Sequence, residues 1–141
     1  MRCRPGIYSA GEGKTVAVKI LLVDDSKFLR VATERALTSA GYQVTCAVDG
    51  EEALRLAREN SPELILLDVM LPKMTGPDVL KALKKDRATA AIPVMMLTSL
   101  SHKNAKALEK DGAASFFEKS DAMLGSGAES LLAAIEKTLK K

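Results

Sequence analysis

Short apolar runs alternate with longer amphipathic stretches along most of the chain. The runs have the length and composition of strands that are buried on both faces of a sheet. We predict five such strands, at residues 16–23, 42–48, 64–67, 94–97 and 115–118. Residues 1–15 contain Pro5, Gly6, Gly11 and Gly13 without apolar periodicity, which predicts a flexible tail before one domain at 16–141.

Helical periodicity fills the intervals between the predicted strands. The helices are expected at about 27–40, 51–59, 78–85, 102–110 and 129–139. Ser26 is suited to begin the first helix and Gly41 to end it. Five of its apolar residues are expected to share the inward face: Phe28, Leu29, Ala32, Ala36 and Leu37.

The alternation of strands and helices predicts an α/β fold of five βα units. Strands that alternate with helices form a parallel sheet with helices on both faces, a doubly wound arrangement. Crossovers between parallel strands are right-handed, which leaves few possible strand orders. The pattern alone does not choose among them.

Polar and charged residues stand where the predicted strands end. Asp24 and Asp25 follow the first strand, Asp68 the third, Thr98 the fourth, and Lys119 the fifth. In an open α/β sheet, ligands bind in the crevice outside the carboxyl ends of the strands. We therefore expect three carboxylates, a hydroxyl and an ammonium to meet at one edge of the sheet.

This set of groups is suited to phosphoryl transfer. Three neighbouring carboxylates repel one another unless a cation compensates, and Mg²⁺ prefers oxygen ligands and phosphate oxygens. A carboxylate beside Mg²⁺ can act as a nucleophile toward phosphorus and form an aspartyl phosphate. An ammonium and a hydroxyl, here Lys119 and Thr98, would stabilise the charge on the transferred group.

Four segments of the chain resemble the receiver domain of two-component response regulators. They are Val23–Ser26, Leu66–Gly76, Leu97–Ser99 and Phe116–Lys119, in the same order and with the same spacing. The resemblance covers residues 18–141 and implies the flavodoxin-like strand order 2-1-3-4-5. No C-terminal extension is large enough to be a separate DNA-binding domain, so we expect a stand-alone receiver.

The resemblance assigns a role to each site residue. It implies that Asp68 is the phosphoacceptor, that Asp25 and Asp68 bind Mg²⁺ directly, and that Asp24 acts through a water. The backbone carbonyl of Met70 would be a further ligand. Thr98 would bind a phosphoryl oxygen and Lys119 would pair with the phosphate.

The resemblance also implies how the signal would pass. Phe116 stands at the aromatic switch position that turns inward on activation. The phosphodonor would be a phosphohistidine on a sensor kinase or a phosphotransfer protein. A downstream protein would bind the face formed by the helix at 102–110, the fifth strand and the last helix. The chain would be a monomer or a dimer promoted by phosphorylation.

Two positions depart from the family pattern. Ser120 follows Lys119 where the family usually has proline after a cis bond, and a cis bond without proline costs about 2.5–4 kcal/mol. Met70 and Leu100 are apolar where members often carry polar groups that help place the hydrolytic water. We therefore expect slow autodephosphorylation.

Composition excludes several other classes of protein. The 141 residues have a net charge of +3 and no Trp, which is too weakly basic and too poor in aromatics to indicate nucleic-acid binding. No apolar stretch approaches the roughly 18 residues of a membrane span, and no secretory signal is evident. We expect a cytoplasmic protein with Cys3 and Cys46 as free thiols.

Two other functions remain to be weighed. The chain could be a receiver-like scaffold that binds its partner regardless of phosphorylation, an alternative that Ser120 leaves open. It could also be an aspartyl-phosphate phosphohydrolase, but those enzymes usually need a second Asp where this chain has Met70. We therefore do not expect an enzyme beyond self-phosphorylation from a phosphodonor and slow autodephosphorylation.

Overall fold

The computed structural model describes residues 18–69, 71, 74–98, 112–118 and 127–139. Its strands are β1 (Lys19–Val23), β2 (Gln43–Ala47), β3 (Leu64–Asp68), β4 (Val94–Thr98) and β5 (Ser115–Glu118). Within the described residues the helices are α1 (Lys27–Ser39), α2 (Gly50–Asn60), α3 (Gly76–Lys85) and α4 (Gly127–Leu139). The five predicted strands are thereby confirmed: β5 has the predicted bounds, and the other four strands differ from theirs by one to three residues at one or both ends.

The five strands form one parallel sheet in the order β2-β1-β3-β4-β5. This arrangement confirms the predicted α/β fold and the strand order that the resemblance implied. The order places β1 beside β3 at the centre of the sheet, with Val23 opposite Leu67. Residues that follow β1 and β3 therefore emerge side by side at the same edge.

Alternate residues of the central strands enter two separate cores. Leu21 and Val23 pack on the face that also receives residues of α2 and α3. Ile20 and Leu22 pack on the opposite face, together with Leu37 of α1 and residues of α4. These four of the five β1 side chains are at most 1% exposed, as expected for a parallel sheet covered on both faces.

The prediction of the inward face of α1 is wrong for Phe28. This side chain is 67% exposed, whereas the buried residues of α1 are Arg30, Thr33 and Leu37. The expectation came from counting apolar residues along the helix. The buried side of α1 instead carries Arg30, whose guanidinium donates a hydrogen bond to Asp24 in the turn before the helix. Phe28 lies on the exposed side of the same helix.

Side-chain caps begin the first three helices. Ser26 Oγ accepts from the amide of Leu29 at 3.4 Å, as predicted, and Thr75 Oγ1 accepts from that of Asp78 at 3.3 Å. In α2, Asp49 Oδ1 accepts from the amide of Glu52 at 2.9 Å. These bonds satisfy amide groups that have no partner within the helix, and so they fix where each helix starts.

Cys46 is disulfide-bonded, so the expectation of a free thiol is wrong for this residue. The expectation rested on the redox state of a compartment, but a disulfide depends on whether two sulfur atoms can meet. Cys3 lies outside the described residues. No helix in the described part of the chain is long and apolar enough to cross a membrane.

Several predicted features lie outside the described residues. They are the tail at 1–15, the helix at 102–110, and the site or neighbouring positions Met70, Leu100, Lys119 and Ser120.

Candidate functional site

Three carboxylates meet at the carboxyl edge of the sheet, where the sequence predicted them. Asp24 and Asp25 follow β1, and Asp68 is the last residue of the adjacent β3. One carboxylate oxygen from each lies within 4.8 Å of the other two. Asp24 is 1% exposed and Asp68 is 4% exposed, whereas Asp25 is open to solvent.

The donor set suits a hard divalent cation. All three ligand groups are carboxylates, and their mutual repulsion in a largely buried site favours binding of positive charge. Mg²⁺ is usually held by one or two carboxylates and keeps several waters. The exposed side of the cluster, at Asp25, would leave room for those waters and for a phosphoryl group.

The turn that presents Asp24 and Asp25 is held by hydrogen bonds within the turn and to two neighbouring elements. The amide of Asp24 donates to the carbonyl of Ala47 at 3.1 Å, and the amide of Ser26 donates to Asp24 Oδ1 at 2.9 Å. Arg30 Nη1 donates to the carbonyl oxygen of Asp24 at 3.0 Å. The orientation of the two carboxylates thus depends on β2 and on α1, in addition to β1.

The loop after Asp68 depends on close contact with Gly76. The amide of Gly76 donates to the carbonyl of Val69 at 2.9 Å. A Cβ at Gly76 would collide with the carbonyl oxygen of Asp68 and would lie 2.7 Å from Cα of Val69. The amide of Val69 in turn donates to the carbonyl of Leu97 at 3.0 Å. The first turn of α3 therefore lies directly against the main chain of the acidic strand end.

The other predicted site residues are placed only in part. Thr98 ends β4 one residue beyond Leu97, which lies opposite Asp68, and pairs with Glu118 of β5. The side chain of Thr98 lies outside the described part of the structure. Lys119 and Met70 also lie outside it, so their predicted roles stay predictions.

Phe116 lies on β5 opposite Met96 of β4. Its ring is partly buried and packs against the core on the side of α2 and α3. The predicted switching role of Phe116 is compatible with this half-buried position, and it stays a prediction.

Sequence reasoning missed two residues that support the site. Arg30 occupies a buried position of α1 and contacts the acidic turn, and Gly76 allows α3 to approach Asp68. The available signal for Arg30 was its spacing of seven residues from Leu37, which places both on one helical face. For Gly76 the available signal was a glycine two residues before the predicted helix at 78–85, a position where most side chains would normally be tolerated.

Comparisons with known proteins agree with the fold. Residues 20–125 match the family model described as the response regulator receiver domain. Two curated relatives are the DNA-binding dual master transcriptional regulator RpaA of Synechocystis sp. and the alkaline phosphatase synthesis transcriptional regulatory protein PhoP of Bacillus subtilis. RpaA is 45% identical over 82 residues, which are 58% of this chain and 34% of RpaA. PhoP is 44% identical over 81 residues, which are 57% of this chain and 33% of PhoP.

Solved structures give the same result over more of the chain. The chemotaxis response regulator CheY4 of Vibrio cholerae superposes with a TM-score of 0.79 at 31% identity, covering 87% of this chain and 99% of CheY4. The response regulator domain of CheB from Thermotoga maritima gives 0.78 at 27% identity, covering 89% and 98%. The chain spans about a third of the length of the curated relatives it matches.

Proposed function

The chain belongs to the response regulator receiver domain family, and we propose that it acts as a switch whose phosphoacceptor is Asp68. Receiver domains are signalling domains of two-component systems. The observation that carries the proposal is the position of Asp68, at the end of a central strand with the carboxylates of Asp24 and Asp25 within 4.8 Å. The alternative of a phosphorylation-independent scaffold finds no support in the comparisons.

The proposed reaction is a direct transfer to a carboxylate oxygen of Asp68. The oxygen attacks the phosphorus of a phosphohistidine on a sensor kinase or phosphotransfer protein. A P–O bond forms, the P–N bond breaks, and its electron pair returns to the imidazole of the donor. Phosphoryl transfer depends mainly on position and on stabilisation of charge, so the protein contributes by holding Asp68 and its neighbours in place.

The metal proposal follows from the oxygen donors at the site. Asp25 and Asp68 would hold Mg²⁺ directly, Asp24 would act through a water, and the carbonyl of Met70 would complete the protein ligands. When bound, Mg²⁺ would neutralise charge on the carboxylates and on the phosphoryl oxygens. The buried carboxylate of Asp24 is kept in orientation by its bond from the Ser26 amide.

The switch would follow from the new charge on Asp68. Phosphorylation adds up to about two negative charges and strong acceptor oxygens. Thr98 and Lys119 would move to bind these oxygens, and Phe116 would turn inward as they do. Such a local change biases an equilibrium between two arrangements of loop and helix, which a partner can distinguish.

The apolar residues Met70 and Leu100 support slow loss of the phosphoryl group. Both follow a predicted site residue by two positions, and apolar side chains there would not help to orient an attacking water. Replacing both with polar groups, as in Met70→Asn with Leu100→Glu, is expected to shorten the lifetime of the phosphorylated protein. An unchanged lifetime would contradict this part of the proposal.

An exposed apolar patch on α1 is suited to the approach of a donor protein. Phe28 and Val31 are the large apolar side chains exposed among the described residues, at 67% and 36%. They line a groove of about 500 Å³ together with Lys27, Ala32 and Arg35. The patch begins three residues after Asp25. A donor that docks here would bring its phosphohistidine to the exposed side of the acidic cluster.

The signal would leave through the face that includes β5 and α4. Lys137 of α4 is exposed on the described part of this face, and Lys103, Lys106 and Lys110 of the predicted helix at 102–110 would extend it. A downstream protein is expected to dock there, with the chain as a monomer or a phosphorylation-promoted dimer. Chemical-shift changes on phosphorylation that avoid β5 and α4 would contradict this assignment. We also propose a cytoplasmic location, which suits phosphorylation by a sensor kinase or a phosphotransfer protein.

Peptide mapping tests the identity of the acceptor. Borohydride reduces an aspartyl phosphate to homoserine, which marks the modified residue permanently. After phosphorylation in the presence of Mg²⁺, we expect homoserine at position 68. Modification of Asp24, Asp25 or another carboxylate in its place would contradict the proposal.

A further inference from the structure

Arg30 is a buried charged residue for which the proposed reaction has no use. It lies in the second turn of α1, and only 9% of its surface is exposed. A buried guanidinium is costly unless its donors are satisfied and an opposite charge is near. Arg30 donates a hydrogen bond to the turn that carries two of the three clustered carboxylates.

The contact of Arg30 is made to the main chain of a site residue. Its Nη1 donates to the carbonyl oxygen of Asp24 at 3.0 Å, in a buried environment. The amide of Asp24 donates to Ala47 on β2 at 3.1 Å, so both peptide groups that flank the Asp24 Cα are held. The peptide that Arg30 holds is the one that joins Asp24 to Asp25. Rotation of this peptide would change the direction of both carboxylates.

We propose that Arg30 is a positioning residue of the acidic site, which fixes the Asp24–Asp25 peptide in the orientation that a divalent cation requires. The inference rests on the proposed metal site at the three aspartates. Groups outside the ligand set commonly orient metal ligands, and their loss weakens metal binding even though they never touch the metal. Because Arg30 acts through the carbonyl of Asp24, one donor of the right reach is sufficient for this role.

Two substitutions and one control separate this role from others. Arg30→Met removes the donor and the charge but is compatible with an apolar surrounding. Arg30→Lys keeps a charged donor on a flexible side chain of similar reach. Arg87→Met is the control, because it removes an exposed arginine charge in the turn after α3, in a different part of the chain from the acidic turn.

The primary measurement is the Mg²⁺ dissociation constant of each folded protein by isothermal titration calorimetry. We expect Arg30→Met to bind Mg²⁺ about tenfold more weakly than the wild type. Arg30→Lys should recover most of the affinity, and Arg87→Met should match the wild type. If Arg30→Met fails to fold, Arg30→Gln replaces it, because glutamine is polar and too short to reach the Asp24 carbonyl.

A second measurement reports how well ordered the turn at Asp24–Ser26 is in the absence of metal. The amide of Ser26 is bonded to Asp24 Oδ1, so its hydrogen exchange reports the order of the turn. In the absence of Mg²⁺, we expect faster exchange at Ser26 in Arg30→Met, with unchanged exchange at Leu21 and Leu22 in β1. A residue that served only overall stability would change exchange throughout the sheet.

The possible failures are distinguishable. A wild-type protein that does not bind Mg²⁺ contradicts the proposed metal site, and the Ser26 exchange then decides the inference alone. A wild type that binds Mg²⁺ beside an Arg30→Met variant with unchanged or tighter binding overturns the inference and leaves the proposed function intact. Equal weakening in Arg30→Met and Arg87→Met would also overturn it, since the effect would be one of net charge.

Discussion

At the residue scale, the geometry of the site depends on the main chain around Asp68 as well as on the carboxylates. Gly76 begins α3 against the carbonyl of Asp68, and the amide of Val69 is bonded to β4. The direction of the Asp68 side chain is thereby linked to two neighbouring elements. A carboxylate that must attack phosphorus in line benefits from such fixed geometry.

Replacement of Gly76 tests this dependence. Gly76→Ala places a Cβ against the carbonyl oxygen of Asp68, and the backbone must shift because no flexible side chain can yield. We expect a loss of about 1–3 kcal/mol in the free energy of unfolding, measured by urea denaturation, and weaker Mg²⁺ binding. Lys81→Ala, at an exposed position of α3, is the control and should change neither quantity. A fully stable Gly76→Ala with normal Mg²⁺ affinity would show that the close contact is dispensable.

The acidic residues could be predicted from the sequence because each directly follows or ends an apolar run. A parallel sheet places Asp24, Asp25 and Asp68 at the same edge, and the strand order, with β1 beside β3, then brings them together. Arg30 and Phe28 could not be placed correctly in this way. Arg30 is buried and donates a hydrogen bond to the turn before α1, whereas Phe28 is exposed, and hydrophobic periodicity carries no signal for such a bond.

At the element scale, the strands followed from their apolar runs more closely than the helices followed from periodicity. Strands buried on both faces leave little choice of register, whereas α1 has apolar residues on two sides. Its exposed apolar side, at Phe28 and Val31, is the surface that we assign to the phosphodonor. The other side packs on the sheet through Leu37.

The donor surface predicts a selective defect in Phe28→Ser. Phosphorylation by a protein phosphodonor that acts on the wild type should slow, because the docking contact is lost. Phosphorylation by acetyl phosphate, which is too small to need that contact, should be unchanged. Rates can be followed by separation of the phosphorylated form on a Phos-tag gel. Arg87→Ser, an exposed change in the turn between α3 and β4, is the control. Equal rates in all three proteins would exclude the α1 surface as the docking site of the donor.

An ion pair between α2 and the end of α3 predicts a pH-dependent contribution to stability. Arg58 Nε lies 2.9 Å from Asp86 Oδ2, and Asp86 Oδ1 accepts from the amide of Ala88 at 2.9 Å. The amide of Ala88 and then Arg58 hold the pKa of Asp86 below its usual value of 3.8. The folded state therefore binds the proton less readily than the unfolded state, so the contribution is present above pH 3.8 and is lost as the pH falls below it.

Asp86→Asn isolates this charge while keeping an acceptor for Ala88. Urea denaturation should show the variant to be less stable than the wild type at pH 7, with a difference that shrinks toward pH 3 and below. Glu59→Gln is the matched control, because Glu59 pairs with Arg55 where both side chains are 56% exposed and should contribute little. A difference between Asp86→Asn and the wild type that stays constant from pH 7 to pH 3 would contradict the assignment.

At the scale of the whole molecule, the strand order decides the function. With β1 beside β3, the ends of two strands supply three carboxylates at one point. The apolar pattern predicted the parallel sheet but not its order, which came from the resemblance of four short segments. The predicted roles of Thr98 and Lys119 complete the account, and Ser120 is the departure from the family pattern that bears most directly on them.

The most direct test of the central claim is intact-protein mass spectrometry after incubation with acetyl phosphate, with and without Mg²⁺. Asp68→Asn is the test variant, and Asp78→Asn, an exposed aspartate of α3, is the control. We expect one added phosphoryl group in the wild type and in Asp78→Asn, only with Mg²⁺, and none in Asp68→Asn. An adduct that persists in Asp68→Asn, or that forms equally without Mg²⁺, would contradict the account.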